Sequence, residues 1–237
     1  MKKILIIFTS LVLLGSACAP AGQPTEAPSI PDEDPTPTRI PVDLSPAQRA
    51  AITALSGTSS LSADKIKVVS TEAVDWPDGC LGVYDEGLVC AQVVTPGFRV
   101  ILEAGVKQVE YRTNQDGTQI RPASVALTWK REGGIAGFCN HMTVYLSGEV
   151  HGSSCKGDQY VEGRLTDLTL AEDAARFDGW LAAYGQVEID ASDPRGVSDR
   201  MVVELTFSGL GRDQALTSSE QKQLLEFARS LYQQLYK

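Results

Sequence analysis

A leader at the N-terminus decides the chemical environment in which the rest of this chain must fold. Lys2 and Lys3 are followed by an apolar run at residues 4–14 and by three small residues at 15–17. This order is typical of a secretory signal, and the run is too short to span a bilayer as a mature helix. We therefore expect residues 1–18 to direct export and the rest to fold outside the cytoplasm.

Cys18 follows the small residues directly and precedes a proline-rich stretch. It resembles the lipobox cysteine of bacterial lipoproteins, which is lipidated and becomes the new N-terminus. The resemblance implies a lipid anchor in the cell envelope, on the extracytoplasmic side of a bacterial membrane; ordinary cleavage or retention of the leader is the alternative. Eight of the twelve prolines lie between Pro20 and Pro46, so we expect residues 19–45 to form an extended, solvated tether.

The chain is acidic once the leader is removed. Without the two leader lysines, 19 of the 21 basic residues remain against 30 acidic ones, a formal charge near −11. Nucleic acids and anionic bilayers attract basic proteins and repel acidic ones. We expect no nucleic-acid partner, and no membrane contact other than the lipid anchor.

An even number of cysteines remains beyond the leader: Cys80, Cys90, Cys139 and Cys155. In an exported chain an even set predicts disulfides, here two. Four cysteines allow three pairings, and proximity along the chain favours Cys80–Cys90 and Cys139–Cys155. The second pair would lie across a hairpin that turns near Ser147, with both side chains on one face.

A zinc site is the alternative for that hairpin. His141 and His151 could share one face with Cys139 and Cys155, and this ligand set suits zinc. Export favours the disulfide. We therefore expect no metal and no other cofactor.

The pattern of the folded part predicts an α+β protein with two small domains, each an antiparallel sheet packed with one or two helices. The first, residues 46–122, should begin with a helix at 47–55 that is capped by Ser45, followed by an antiparallel meander from Ile66 with a tight turn at 114–117. The second, residues 123–237, combines strands with two amphipathic helices. Its predicted elements are strands at 125–130, 142–146, 149–155, 160–165 and 201–207 and helices at 170–184 and 217–235.

The loop between Trp76 and Cys90 is rich in turn residues. We expect Trp76 to plug the core beneath this loop rather than to serve as a ligand platform. Acids at positions 75, 78, 85 and 86 match no EF-hand spacing. We interpret them as solvated turn carboxylates, with a weak calcium site as the alternative.

A glycine string is the most distinctive candidate binding segment: Gly133, Gly134, Ile135, Ala136, Gly137 and Phe138. Its glycines can adopt backbone conformations that other residues avoid. The favoured interpretation is a connection between strands with Ile135 and Phe138 turned into the core. The alternative is a recognition loop held rigid by Cys139 at its base, which would lose little entropy on binding.

Residues 125–237 resemble emfourin, the small protein inhibitor of thermolysin-type metallopeptidases. The similarity rests on the strand before the glycine string at 133–137, the helix at 170–184, Asp199 before the strand at 201–207, and the closing helix. The two cysteines and the leader are departures from that family. The resemblance implies an α+β fold and a metallopeptidase as the partner.

Residues 66–121 resemble a module of bacterial surface lipoproteins with no established activity. The similar features are the string Trp-Pro-Asp-Gly-Cys-Leu-Gly at 76–82, Cys90, and the short strings at 95–97 and 111–113. The order of a helix and then a meander is also similar to PepSY domains, an analogy of fold alone.

Together these features predict a membrane-anchored, extracytoplasmic binding protein that inhibits thermolysin-type metallopeptidases without covalent chemistry. The alternative is a structural or ligand-sensing surface lipoprotein in which the loop at 76–90 makes the contacts. We do not expect an enzyme, because the sequence offers no convincing pair of nucleophile and base.

Overall fold

Two antiparallel sheets with helices packed against them make up the described part of the chain, residues 43–156 and 159–237 of a computed structural model. The predictions for the signal peptide, for Cys18 and for residues 19–42 of the tether lie outside the described residues. All described residues fall within one compact unit. None of their helices is long and apolar enough to cross a membrane. The predicted α+β class is confirmed.

The first lobe, residues 46–122, is a helix packed on a four-stranded sheet. Its elements are α1 (Pro46–Thr58), β1 (Ile66–Trp76), β2 (Thr95–Ala104), β3 (Lys107–Asn114) and β4 (Ile120–Pro122). The strands lie in the order β1-β2-β3-β4, a simple meander. Its core lies between α1 and the sheet and includes Ala51, Leu55, Val100, Leu102 and Tyr111.

The sequence of α1 explains where the helix begins. Ser45 is the N-cap: its hydroxyl accepts a bond from the Gln48 backbone amide, and the Gln48 side chain accepts one from the Ser45 amide. Pro46 takes the first helical position, where its missing N–H does no harm. The helix was predicted at 47–55, and it spans Pro46–Thr58.

The second lobe, residues 125–237, is a six-stranded sheet with two long helices on one face. Its elements are β5 (Val125–Gly133), β6 (Phe138–Tyr145), β7 (Glu149–Ser154), β8 (Gln159–Arg164), α2 (Leu165–Leu168), α3 (Ala171–Ala183), β9 (Gln186–Asp190), β10 (Met201–Ser208) and α4 (Ser218–Leu235). The strand order is β8-β7-β6-β5-β10-β9. The short elements β9 and α2 were not predicted.

Strand alternation gives this sheet two different faces. Trp129 pairs with Met142 and Leu205, and these residues are buried beneath α3 and α4 with the stacked rings of Phe177 and Phe227. Their neighbours along each strand point the other way, because side chains alternate with period two. We call this second side the open face. It carries polar residues: Thr128, Lys130, Glu132, His141, Thr143, Glu204 and Thr206.

The two lobes are joined by direct contacts. The hydroxyl of Tyr111 donates to Glu149 Oε1 at 3.0 Å, and the Lys107 ammonium lies 2.8 Å from Asp178 Oδ1. Leu146, which follows β6, packs against the cores of both lobes. Apolar and polar contacts therefore cross the junction together.

Two glycines of the first lobe should respond to alanine in opposite ways. At Gly97 in β2 a Cβ atom would lie 1.8 Å from the Thr113 carbonyl oxygen and 2.8 Å from Trp76 Nε1. Gly97→Ala should therefore lower the free energy of unfolding by more than about 2 kcal/mol. Gly57 in α1 has nothing within 4 Å, so Gly57→Ala should raise it by about 0.5–1 kcal/mol. Urea unfolding of both variants measures this, and a neutral Gly97→Ala would contradict the close approach.

Candidate functional site

The glycine string forms the tip of the hairpin that joins β5 to β6. Backbone φ is positive at Gly133, Gly134 and Gly137 (80°, 69° and 60°), a region that side chains with a Cβ avoid. At Gly133 a Cβ would also lie 2.3 Å from the Arg200 carbonyl oxygen. We call residues 133–138 the glycine hairpin.

Ile135 stands at the apex of the glycine hairpin and is 93% exposed. The interpretation that turned Ile135 into the core is therefore wrong. The reason lies in the sheet. Strands β5 and β6 carry the hairpin beyond the part of the sheet that packs against α3 and α4, so no apolar layer covers Ile135 among the described residues. Phe138 is half-buried, since its ring is covered by cations rather than by apolar core. The structure thus exposes a large apolar side chain to solvent, on a turn in which three glycines adopt positive φ.

A disulfide closes the base of the hairpin. Cys139 lies near the start of β6 and forms a disulfide with Cys155, with a Cα–Cα distance of 5.7 Å. The second predicted pair, Cys80 with Cys90, is also present, so both predicted pairings are confirmed. Because oxidised cysteines provide no thiolate, the zinc alternative at Cys139 and Cys155 is wrong.

The ring of Phe138 carries two cationic side chains. The guanidinium carbon of Arg131 lies 3.5 Å from the ring centroid, and the ammonium of Lys156 lies 5.3 Å from it. Arg131 Nε donates to Met201 Sδ at 3.2 Å, and the Lys156 ammonium donates to the Ala136 carbonyl. Cation–π contacts and these bonds hold both cations beside the tip.

A second constellation is buried at the junction of the lobes. We call it the Asp85 cluster: Asp85, Arg121, Tyr145, His151 and Tyr160. The two oxygens of Asp85 accept bonds from the Tyr145 hydroxyl at 2.7 Å and Arg121 Nη2 at 2.8 Å, and Oδ2 lies 2.8 Å from His151 Nδ1. The Tyr160 hydroxyl lies 3.2 Å from the same Asp85 oxygen and 3.0 Å from His151 Nδ1. One carboxylate therefore meets four side chains.

Charge in the Asp85 cluster shifts its pKa values strongly. Burial alone would lower the pKa of His151, but the hydrogen bond to Asp85 and the carboxylates of Glu149 and Glu162 outweigh it and raise the pKa to about 9. Burial alone would raise the pKa of Asp85, yet the contacts with His151, Tyr145 and Arg121 lower it. At neutral pH the cluster thus contains a carboxylate, a guanidinium and an imidazolium.

The Asp85 cluster is a clamp rather than a reaction centre. Asp85 lies in the disulfide loop of the first lobe, whereas Tyr145, His151 and Tyr160 lie on β6, β7 and β8 of the second. His151 is 2% exposed, and the space beside the cluster measures about 10 Å³, which admits at most a water molecule. The cluster therefore docks the loop onto the open face and leaves no room for a substrate.

Sequence reasoning missed this cluster. Its members come from five separate segments, and His151 was considered only as a possible zinc ligand. Strand alternation places His151 on the face that also carries Tyr145, but no spacing connects it with Asp85 or Arg121. Only the docking of the loop brings them together.

Trp76 is the core plug that was predicted. It is 6% exposed, its Nε1 donates to the Thr113 carbonyl at 2.9 Å, and the Arg112 guanidinium lies 4.9 Å from its ring centroid. Asp78 caps the following turn by accepting from the amides of Cys80 and Gly82.

The acids around the disulfide loop do not converge on one cation site. Their interpretation as solvated carboxylates is wrong for Asp78 and Asp85, which are 1% and 8% exposed. Asp78 bonds within its own turn, Asp85 belongs to the clamp, Asp75 is exposed on β1, and Glu86 lies 3.9 Å from His141 Nδ1. Within the described ranges, three potential metal ligands come together only at Asp78, Cys80 and Cys90. Because those two cysteines form a disulfide, this group offers no thiolate to a metal.

His141 lies on the open face, in a shallow polar cleft of about 430 Å³. Its Nε2 is 2.7 Å from Glu132 Oε1. The cleft is bordered by Glu86 of the disulfide loop and by the ion pair of Lys130 with Glu204, whose atoms are 2.9 Å apart. Its charged groups pair with one another, Lys130 with Glu204 and His141 with Glu132.

Residues 48–122 match a domain of unknown function (DUF8738). The match spans nearly all of the first lobe, including Asp85 and Arg121 of the clamp. No curated protein and no solved structure matches the chain. The resemblance of residues 125–237 to emfourin therefore stays a prediction.

The raised pKa of His151 makes stability depend on pH. The folded state binds the imidazole proton more tightly than the unfolded state, whose pKa is near 6.5. The stabilisation is complete below pH 6.5 and is lost as the pH rises through about 9. His151→Gln should lower the free energy of unfolding by about 2–3 kcal/mol near pH 6.5. It should also flatten the decline between pH 7 and 9.5, measured by urea unfolding at several pH values.

His141→Gln is the matched control, because it removes the other histidine of the chain from the open face without touching the clamp. The decline of the parent should persist in this variant. An alkaline decline of equal size in His151→Gln would show that another group causes it.

Proposed function

We propose that the chain is a binding protein of the cell envelope that inserts its glycine hairpin into the cleft of a protein partner. The observation that carries this proposal is the exposure of Ile135, 93%, at the apex of a turn. Three glycines of this turn have positive φ, and a disulfide lies at its base. An exposed aliphatic side chain at the apex of a hairpin can enter a partner's pocket, and burying its apolar surface there favours binding. Rigidity lowers the entropy that binding removes.

The hairpin supports contact rather than catalysis. Residues 133–138 carry only backbone polar groups, and their side chains include no hydroxyl, thiol, carboxylate or imidazole that could act as a nucleophile or as a general base. The two histidines are engaged elsewhere, His151 in the clamp and His141 with Glu132. We therefore propose a non-covalent mode of action.

We propose a thermolysin-type metallopeptidase as the partner. The support is the resemblance of residues 125–237 to emfourin, in which the glycine string follows a strand, as it follows β5 here. In this mechanism the hairpin occupies the cleft as a wedge and blocks access of peptides. The closed turn keeps the peptide bonds of the hairpin away from the peptidase's catalytic centre, so the hairpin is not itself cleaved.

The two disulfides indicate an oxidising compartment. We propose that a lipid on Cys18 holds the chain at the extracytoplasmic side of a membrane, through the tether predicted from the sequence at residues 19–45. Mass spectrometry of the mature N-terminus tests the anchor. An unmodified Cys18 would remove it without affecting the proposal for the hairpin.

Inhibition should depend on the apex of the hairpin. Wild-type chain lacking residues 1–18 should inhibit thermolysin in a peptide-cleavage assay, and Ile135→Asp should weaken inhibition by about 100-fold, because a charge would enter an apolar pocket. Val106→Asp is the matched control, since Val106 is 89% exposed in the turn between β2 and β3 of the other lobe. Full protease activity at a large molar excess of the wild type would contradict the proposed partner.

A second candidate function is supported by the disulfide loop. Tyr84, Val89, Val93 and Val94 are 67%, 94%, 56% and 63% exposed, and residues 87–97 contain no charge. This surface would make the contacts of a ligand-sensing or structural lipoprotein. Val89→Asp separates the two ideas: it should leave protease inhibition unchanged if the hairpin is the binding element and abolish partner binding if the loop is.

A further inference from the structure

Two cations lie beside the glycine hairpin, over an aromatic ring. Several other cations of the sheets pair with carboxylates, as Lys67 does with Glu103, Lys107 with Asp178 and Lys130 with Glu204. Neither Arg131 nor Lys156 forms an ion pair with any carboxylate of residues 43–156 or 159–237. Both instead lie over one aromatic ring, that of Phe138.

Their hydrogen bonds leave charge available at the tip. Arg131 uses only Nε, on Met201 Sδ, so within the described residues both terminal nitrogens of its guanidinium lack a protein partner. Among the residues that the structure describes, Lys156 bonds only the uncharged carbonyl of Ala136, and a neutral acceptor does not cancel an ammonium charge. The Phe138 ring fixes the guanidinium plane, and a fixed plane loses little freedom when it grips a carboxylate in bidentate fashion.

We propose that the partner cleft is an apolar socket bordered by carboxylates: Ile135 fills the socket, and Arg131 and Lys156 pair with acidic groups at its rim. This inference rests on the proposed insertion of the glycine hairpin and adds the chemistry of the surface that receives it. The chain as a whole carries a formal charge of −9 and repels an acidic partner at long range. The two cations supply the local attraction that selects the hairpin as the point of contact.

The first test measures binding to thermolysin by calorimetry. Wild-type chain lacking residues 1–18 is compared with the double variant Arg131→Gln, Lys156→Gln, which keeps polar side chains but removes both charges. Binding should weaken about tenfold. Lys65→Gln removes an exposed lysine of the first lobe and should leave binding unchanged. Equal affinity of the double variant and the wild type overturns the inference and leaves the proposed function intact.

The second test needs no protease. Poly-L-glutamate is added at low ionic strength to chain labelled with ¹⁵N, and amide shifts are followed by NMR. Shifts should concentrate at residues 131–138 and at Lys156, and they should vanish in the double variant, whose unperturbed spectrum elsewhere shows that it folds. No shifts at the hairpin, or equal shifts in the double variant, overturn the inference. Shifts at the hairpin, together with no binding to thermolysin, would support an acidic partner cleft and contradict the proposed peptidase.

Discussion

The arrangement of the molecule depends on one buried carboxylate. Asp85 leaves water together with Arg121 and His151, and a lone buried charge would be strongly unfavourable. Four side chains surround it within 3.2 Å, so the loss of hydration is offset by charge-assisted hydrogen bonds. The cluster is satisfied only when the disulfide loop of the first lobe lies on β6, β7 and β8 of the second. An apolar contact would tolerate sliding, whereas this cluster admits one position. Among the buried side-chain nitrogen and oxygen atoms of the described residues, Arg121 Nε alone has no hydrogen-bond partner.

The clamp also explains why the hairpin projects as it does. The loop occupies the part of the open face above β7, where Gly87 approaches Ser153 so closely that a Cβ would lie 2.8 Å from it. The helices α3 and α4 occupy the opposite face. Neither layer covers the ends of β5 and β6, so the sheet continues past its own core and carries the glycine hairpin outward. The disulfide of Cys139 with Cys155 cross-links the chain at the base of this hairpin.

Local signals predicted much of the fold. The cap at Ser45, the glycine turn at 114–117 and the apolar stripe of α4 depend on neighbouring residues, and the structure contains all three. The pairing of Cys139 with Cys155 followed from strand register, which is fixed once the turn at Ser147 is placed. The short strand β9 was missed although its five residues alternate between polar and apolar, with Val187 and Ile189 buried.

The Asp85 cluster and the exposure of the glycine hairpin were harder to predict, for two different reasons. The Asp85 cluster depends on contacts between residues up to 75 positions apart, and single-sequence patterns do not encode such distances. Ile135 was misassigned because apolar residues are usually buried, and the rule carries no information about where a sheet outgrows its core. Only the three-dimensional layout distinguishes an aliphatic residue in a core from one at an uncovered tip.

Exposure of Ile135 has a consequence for how such a surface can exist in an exported protein. An aliphatic apex invites self-association, and chains often guard such positions with nearby charge. Arg131 and Lys156 provide that guard here, because two hairpins brought tip to tip would place like charges together. An acidic socket would instead neutralise those charges while it covers the isoleucine. The same two cations therefore oppose the wrong contact and favour the proposed one, which is how specificity arises from repulsion as well as attraction.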